Sequence, residues 1–150
     1  MNNHPGTPQR PQENGFTLLE VILAIAILSF GLLAVASMQV SAIRGNAFAS
    51  DVTEGTTWAT DRFEKLLQAG LMDYNDPDLA DTDNDGSAGL NHVTTATADH
   101  NVTEGRYRIL WNVAEDHILD RTKTIRVIVL WGDHGHDKEV AIQGLVPEIL

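Results

Sequence analysis

Apolar and polar positions divide the chain into stretches of different period. From Phe16 to Met38 almost every position is apolar, and no charge falls between Val21 and Met38. That run of 23 residues exceeds the about 20 that a helix needs to cross a bilayer. Beyond it the pattern thins to a stripe. Phe48, Val52, Ala59, Phe63, Leu66 and Leu67 recur at threes and fours, with Asp51, Glu54, Asp61, Arg62 and Lys65 between them. Such spacing predicts a helix that is apolar on one face only. No proline lies between Pro11 and Pro77, so both patterns belong to one helix from about Phe16 to Ala69, roughly 80 Å long at 1.5 Å per residue. Gly70 is the expected stop, and the glycines at 31, 45 and 55 weaken the helix locally.

Toward the C-terminus the period changes to two. "RYRILWNVA" places Tyr107, Ile109, Trp111 and Val113 on one face, and "TIRVIVLWG" does the same with Ile125, Val127, Val129 and Trp131. The second run also carries Ile128 and Leu130 on its other face, and "EVAIQGLV" continues with Val140, Ile142 and Val146. Polar, turn-rich connections, "EDHILDRTK" and "GDHGHDK", separate the runs, so three antiparallel strands are expected. Their shared apolar face needs a cover, and the amphipathic half of the long helix is the candidate. The fold class is therefore α+β: a long N-terminal α-helix, transmembrane in its first half and amphipathic in its second, packed on a small antiparallel β-sheet. The expected divisions are a leader over 1–15, a transmembrane half over 16–40, an amphipathic half over 41–70, an acidic loop region over 71–104 and the sheet over 105–150.

Charge narrows the function classes. Ten basic against twenty-one acidic residues give a net charge of −11, which argues against nucleic acid as a partner, since phosphate binding rests on clustered Lys and Arg. Eight carboxylates and no Lys or Arg lie between Leu71 and Gly105. Cysteine is absent, so no disulfide holds the fold. Residues 1–14, with three prolines and three asparagines, read as an unstructured leader. No nucleophile–base pair, phosphate loop or zinc motif is present, and catalysis is not expected.

One acid conflicts with the greasy segment. Glu20 sits at the entrance of a run in which an ionised carboxylate costs about 2–4 kcal/mol or more unless paired. An ordinary secretory signal peptide is one reading, supported by the small residues Ala34-Val35-Ala36 before Ser37. A plain single-pass anchor is another, although Arg10 on one side and Arg44 on the other orient it poorly. Neither accounts for Glu20.

"GFTLLE", Gly15 to Glu20, followed by an unbroken apolar helix resembles the class III signal of type IV pilins and their relatives. The resemblance implies cleavage after Gly15 by a prepilin peptidase, N-methylation of Phe16, and a role in filament assembly for Glu20. The new α-amine of Phe16 would lie four residues from Glu20, on the same helix face, and the amine of one subunit would pair with Glu20 of another in low dielectric. The stretches "ILSFGLLAVASMQ" and "WATDRFEKLLQAG", with the strand ending "VLW", are similar to PilV-type minor pilins of the type IV pilus. Minor pseudopilins of type II secretion systems have similar helices. The missing helix proline and missing C-terminal disulfide loop favour a minor component. The partners implied are other pilins or minor pilins through the N-terminal helix, the prepilin peptidase and the inner membrane. The implied location is single-pass in that membrane, then a surface pilus or periplasmic pseudopilus.

The acidic loop offers a separate candidate. Asp81, Asp83 and Asp85 alternate before Gly86, like the first half of a calcium loop, in which hard oxygens converge and glycine makes the turn. The second half departs from the EF-hand: position twelve is His92 in place of a bidentate Glu. The run is closer to the looser aspartate-rich calcium repeats of extracellular proteins. Asp73, Asp76, Asp78 and Asn91 are candidates to complete a Ca2+ shell; a solvated loop rich in Asx turns is the competing reading. A secreted calcium-binding domain behind an ordinary signal peptide is the function it would imply. His134 and His136 flank Gly135 and fit a solvated hairpin tip better than a transition-metal site, and His92, His100 and His117 are read the same way. Trp111 and Trp131 are read as core. The "NVT" sequon at Asn101 is too common to carry weight.

Overall fold

The structure, a computed structural model, describes residues 15–133 and 135–148. The leader expected over 1–15 lies outside the described residues except for Gly15, and so does His134. One helix, α1 (Leu18–Met72), precedes two short 3-10 turns (Pro77–Leu79 and Gly86–Asn91) and four strands. These are β1 (His100–Glu104), β2 (Tyr107–Glu115), β3 (Thr122–Asp133) and β4 (His136–Pro147). They form one antiparallel sheet in the order β1-β2-β3-β4. The α+β fold class holds, with one strand more than the three expected.

The chain divides into two compact units, Met1–Gly45 and Asn46–Leu150. In the first, the described residues are exposed throughout, and Val21, Ile25, Leu28, Leu32 and Val35 present apolar surface in every direction around α1. This helix is long and apolar enough to cross a membrane, the one such helix among the described residues. A helix apolar all round needs lipid or other helices to cover it.

In the second unit the stripe and the strand faces meet as their periods require. Ala59 and Leu66 of α1 are buried with Tyr107, Ile109, Trp111, Val113, Ile125, Val127, Val129, Trp131 and Val146, and Val52, Trp58, Phe63, Leu67, Val140 and Ile142 pack against them. Phe48, expected in the stripe, stays 45 % exposed, its ring 5.8 Å from Lys138 Nζ. Gly70 does not end the helix, which continues to Met72. It is buried, and a Cβ there would run into Val146 Cγ1 and Leu79 Cδ1. Glycine at that position lets the helix lie close on β4.

The opposite face of the sheet is the larger departure from expectation. Leu110, Ile128 and Leu130 form a second small core with Ala98, beneath chain that the sequence left as acidic loop. Leu90 is buried there. The fourth strand, β1, comes from the same region. It has Val102 as its only large apolar residue and no apolar alternation to announce it. Its strand geometry is fixed by the ladder to β2, from His100↔Trp111 to Glu104↔Tyr107.

Candidate functional site

The start of α1 combines a cap with an accessible peptide bond. Gly15, Phe16 and Thr17 precede the helix in irregular, exposed chain, Phe16 at 83 %. The Glu20 N–H donates to Thr17 O at 3.1 Å and lies 3.3 Å from Thr17 Oγ1. Thr17-x-x-Glu20 is thus a helix-start signature, and Glu20 sits in the first turn, where the helix dipole favours a negative charge. Its exposed carboxylate has no partner among the described residues. The Gly15–Phe16 bond stands outside the helix, so a peptidase can take it in extended form without unwinding a turn.

The loop between α1 and β1 is fastened to the sheet by polar side chains. Trp111 Nε1 donates to Asp78 O at 2.8 Å, and His100 Nε2 lies 2.8 Å from Ala80 O. The His100 ring stacks on Trp111 with centroids 5.1 Å apart, while the Arg62 guanidinium of α1 is 4.5 Å from a Trp111 ring centroid. Trp111 is core, as expected; His100 is a structural anchor and not a solvated histidine. Lys123, 3 % exposed, donates to Leu79 O at 2.8 Å, pairs with Glu115 at 3.1 Å and lies 4.9 Å from the Tyr74 ring. Burial, followed by Asp116, Glu115 and Glu148, pushes the Tyr74 phenol up from its ordinary value.

Two further side chains close the far end of the loop. Asn112, 1 % exposed, donates to Leu90 O and His92 O and accepts from the Asp99 N–H. The Asp99 carboxylate accepts from Thr82 N–H at 2.7 Å and Thr82 Oγ1 at 3.1 Å through Oδ1, and from Val113 N–H at 2.8 Å through Oδ2.

Within this frame the aspartates take a definite geometry. Asp81 Oδ2 accepts from Gly86 N–H at 2.9 Å, and Asp83 Oδ1 from Asp85 N–H at 3.2 Å. Asn84 and Gly86 adopt φ of 58° and 59°, the left-handed region that Asn and Gly tolerate best. Asp85 folds back over Gly89, where any Cβ would collide with its carboxylate. It lies 3.2 Å from His92 Nδ1, which is also 2.8 Å from Thr97 O. A nitrogen facing a carbonyl must carry the proton, so His92 keeps Nε2 for any other partner. Burial and then Asp83 hold the Asp85 carboxyl above its usual range, with His92 pulling the other way.

Ligand atoms converge in two overlapping groups, Asp81, Asp83 and Asp99, and Asp83, Asp85 and His92, each within 4.8 Å of one another. Asp81 Oδ1 and Asp85 Oδ1 are shielded from solvent yet accept no hydrogen bond from a described residue. The all-oxygen group is the one a hard cation prefers. Of the residues proposed from sequence to complete the shell, none belongs to either group, although Asp76 borders the same depression as Asp81 and Asp85. Asp73 and Asp76 cap local turns through Asn75 N–H and Asp78 N–H, and Asp99, fourteen residues beyond Asp85, joins the group in their place. Local spacing gave no signal for Asp99, nor for Lys123, which borders the same depression as Asp81 and Asp85. His136 is exposed, as expected of a hairpin tip.

No curated protein and no solved structure matches the chain. Residues 10–36 match the family model described as the prokaryotic N-terminal methylation motif. Gly15, Phe16 and Glu20 all lie inside that stretch: the long helix opens on the class III prepilin signal of type IV pilins and pseudopilins.

Proposed function

We propose that the protein is a minor pilin of a type IV pilus. It is made as a prepilin, cut between Gly15 and Phe16, methylated on the Phe16 amine and taken into the filament through the α1 helix, where it primes or caps assembly. The methylation motif at the head of an exposed apolar helix carries this reading. The absence of proline between Pro11 and Pro77 and of any cysteine favours a minor subunit. A minor pseudopilin of a type II secretion system is the alternative, because the same signal and helix serve both machines. Before assembly the chain is held in the inner membrane by α1.

The test is the mature N-terminus, by mass spectrometry of membrane and sheared-surface fractions, followed by gene deletion. An N-methylated Phe16 and loss of pili on deletion are the expected results. Loss of secretion with pili intact would select the pseudopilin. A mature chain starting at Ser37 would mean an ordinary signal peptide and would overturn both.

A second reading concerns the loop. The unpartnered Asp81 Oδ1 and Asp85 Oδ1, beside the Asp81, Asp83 and Asp99 group, favour a Ca2+ ion bound there. A ligand at a hundred times its Kd stabilises the state it binds by about 2.7 kcal/mol. Millimolar CaCl2 is therefore expected to raise the melting temperature of the detergent-solubilised chain by several degrees, and Asp83→Asn to abolish most of that rise. A melting curve indifferent to CaCl2 removes the ion and leaves a loop held by its own hydrogen bonds.

A further inference from the structure

The sheet face turned away from α1 is unevenly covered. On β2 Leu110, Asn112 and Ala114 are buried and Arg108 is exposed, whereas on β4 Glu139, Ala141 and Gln143 all remain exposed. Arg126 of β3 stands on the boundary, opposite Asn112 on one side and Gln143 on the other. Residues paired in this way share a face.

Arg126 is half-buried, and its Nε is shielded from solvent without a hydrogen-bond partner. Among the described residues nothing pairs with its guanidinium. The other cations of this unit are mostly engaged. Lys65, Arg106, Arg121 and Lys123 meet Asp61, Asp51, Glu148 and Glu115, and Arg62 and Lys138 lie over aromatic rings. Two arginines stand on this sheet face: Arg108 is exposed, and Arg126 is the half-buried one, with no acid paired to it among the described residues.

We propose that this face is an interface, and that Arg126 receives the carboxylate of an Asp or Glu on a neighbouring subunit. The guanidinium is already partly stripped of water, so an arriving carboxylate meets a smaller desolvation penalty than at an open surface site. Nε is shielded from solvent, so the carboxylate would meet the terminal nitrogens of the guanidinium. A planar guanidinium takes a carboxylate in a two-pronged fashion, and the exposed Gln143 amide can donate beside it. Such a pair sets the identity and register of a neighbour more than its bulk affinity. The inference rests on the assembly reading above.

The experiment uses the full chain in its own cells, with a photo-crosslinking residue in place of Ala141. Wild-type Arg126 is expected to give an adduct whose cross-linked peptide carries an Asp or Glu and belongs to a subunit with the same N-terminal motif. Arg126→Met is expected to lower adduct yield at least tenfold while the purified chain melts at the same or a higher temperature. Arg126→Glu is expected to recover the adduct when the identified acid is changed to Arg. Undiminished adduct with Arg126→Met overturns the proposal. So does a melting temperature that falls together with the adduct, since Arg126 would then be structural. A chain with methylated Phe16 that enters the sheared fraction and gives no adduct overturns this inference alone; a chain never processed at Gly15 overturns the assembly reading as well.

Discussion

Glu20→Ala is expected to leave Phe16 cleaved and N-methylated in the membrane fraction and to remove the protein from sheared filaments. In the proposed filament the helix would be surrounded by apolar side chains, since α1 offers little else before Gly45. On the proposed reading the Phe16 amine would stay basic after methylation, and an assembled subunit would hold a positive charge in low dielectric. Removing the acid of a buried pair costs about 3–5 kcal/mol, because the remaining charge is left uncompensated. At 1.4 kcal/mol per decade, that is a hundredfold or greater loss of incorporation. Glu20→Gln separates this from the local role of the residue. Glutamine still serves a Thr-x-x-Gln helix start and carries no charge. If Glu20→Gln were recovered in filaments at the wild-type level, capping would suffice and the charge pair would be wrong.

Asp99→Ala is expected to give the largest loss of stability of any surface-loop substitution. β2 continues past the end of β1, whose last pair is His100↔Trp111, and the Val113 N–H is taken by Asp99 instead of a strand. The other carboxylate oxygen holds Thr82. Alanine leaves two backbone N–H groups without acceptors, each worth about 1–3 kcal/mol. A combined loss of about 2–6 kcal/mol is a large part of the about 5–15 kcal/mol that holds a typical domain. The melting temperature, followed by near-ultraviolet dichroism of Trp111 and Trp131, should fall by roughly 10 °C or more. Asp99→Asn, which keeps one acceptor, should fall less. An Asp99→Ala chain that melts like wild type would mean that the loop is not fastened through this carboxylate. The same substitution removes one oxygen of the all-aspartate group, so any stabilisation by CaCl2 should shrink with it.

Much of this architecture was legible because hydrophobic period is a local signal. Val52, Ala59, Phe63 and Leu66 mark the buried face of α1, and Ile125, Val127, Val129 and Trp131 mark the inner face of β3, as a reading of every third or second position requires. The signal fails where backbone pairing or polar contacts decide. β1 has too few apolar residues to show alternation. Gly70 reads as a helix stop because its neighbours in space, Val146 and Leu79, are not its neighbours in sequence. His100 reads as a solvated histidine and Lys123 as no more than part of a polar connection, yet each is placed on a loop carbonyl.

The sequence alone determined the greasy helix, the class III signal at Gly15 to Glu20 and the faces of the three long strands, because each depends on residues a few positions apart. Only the tertiary structure decided that the acidic segment is a fastened second cover of the sheet. It also brought Asp99 to Asp81 and Asp83, and set Arg126 into a sheet face without a partner. Those outcomes depend on hydrogen bonds and charges meeting across intervals of fourteen residues or more, as from Asp99 to Val113, and no local period records them.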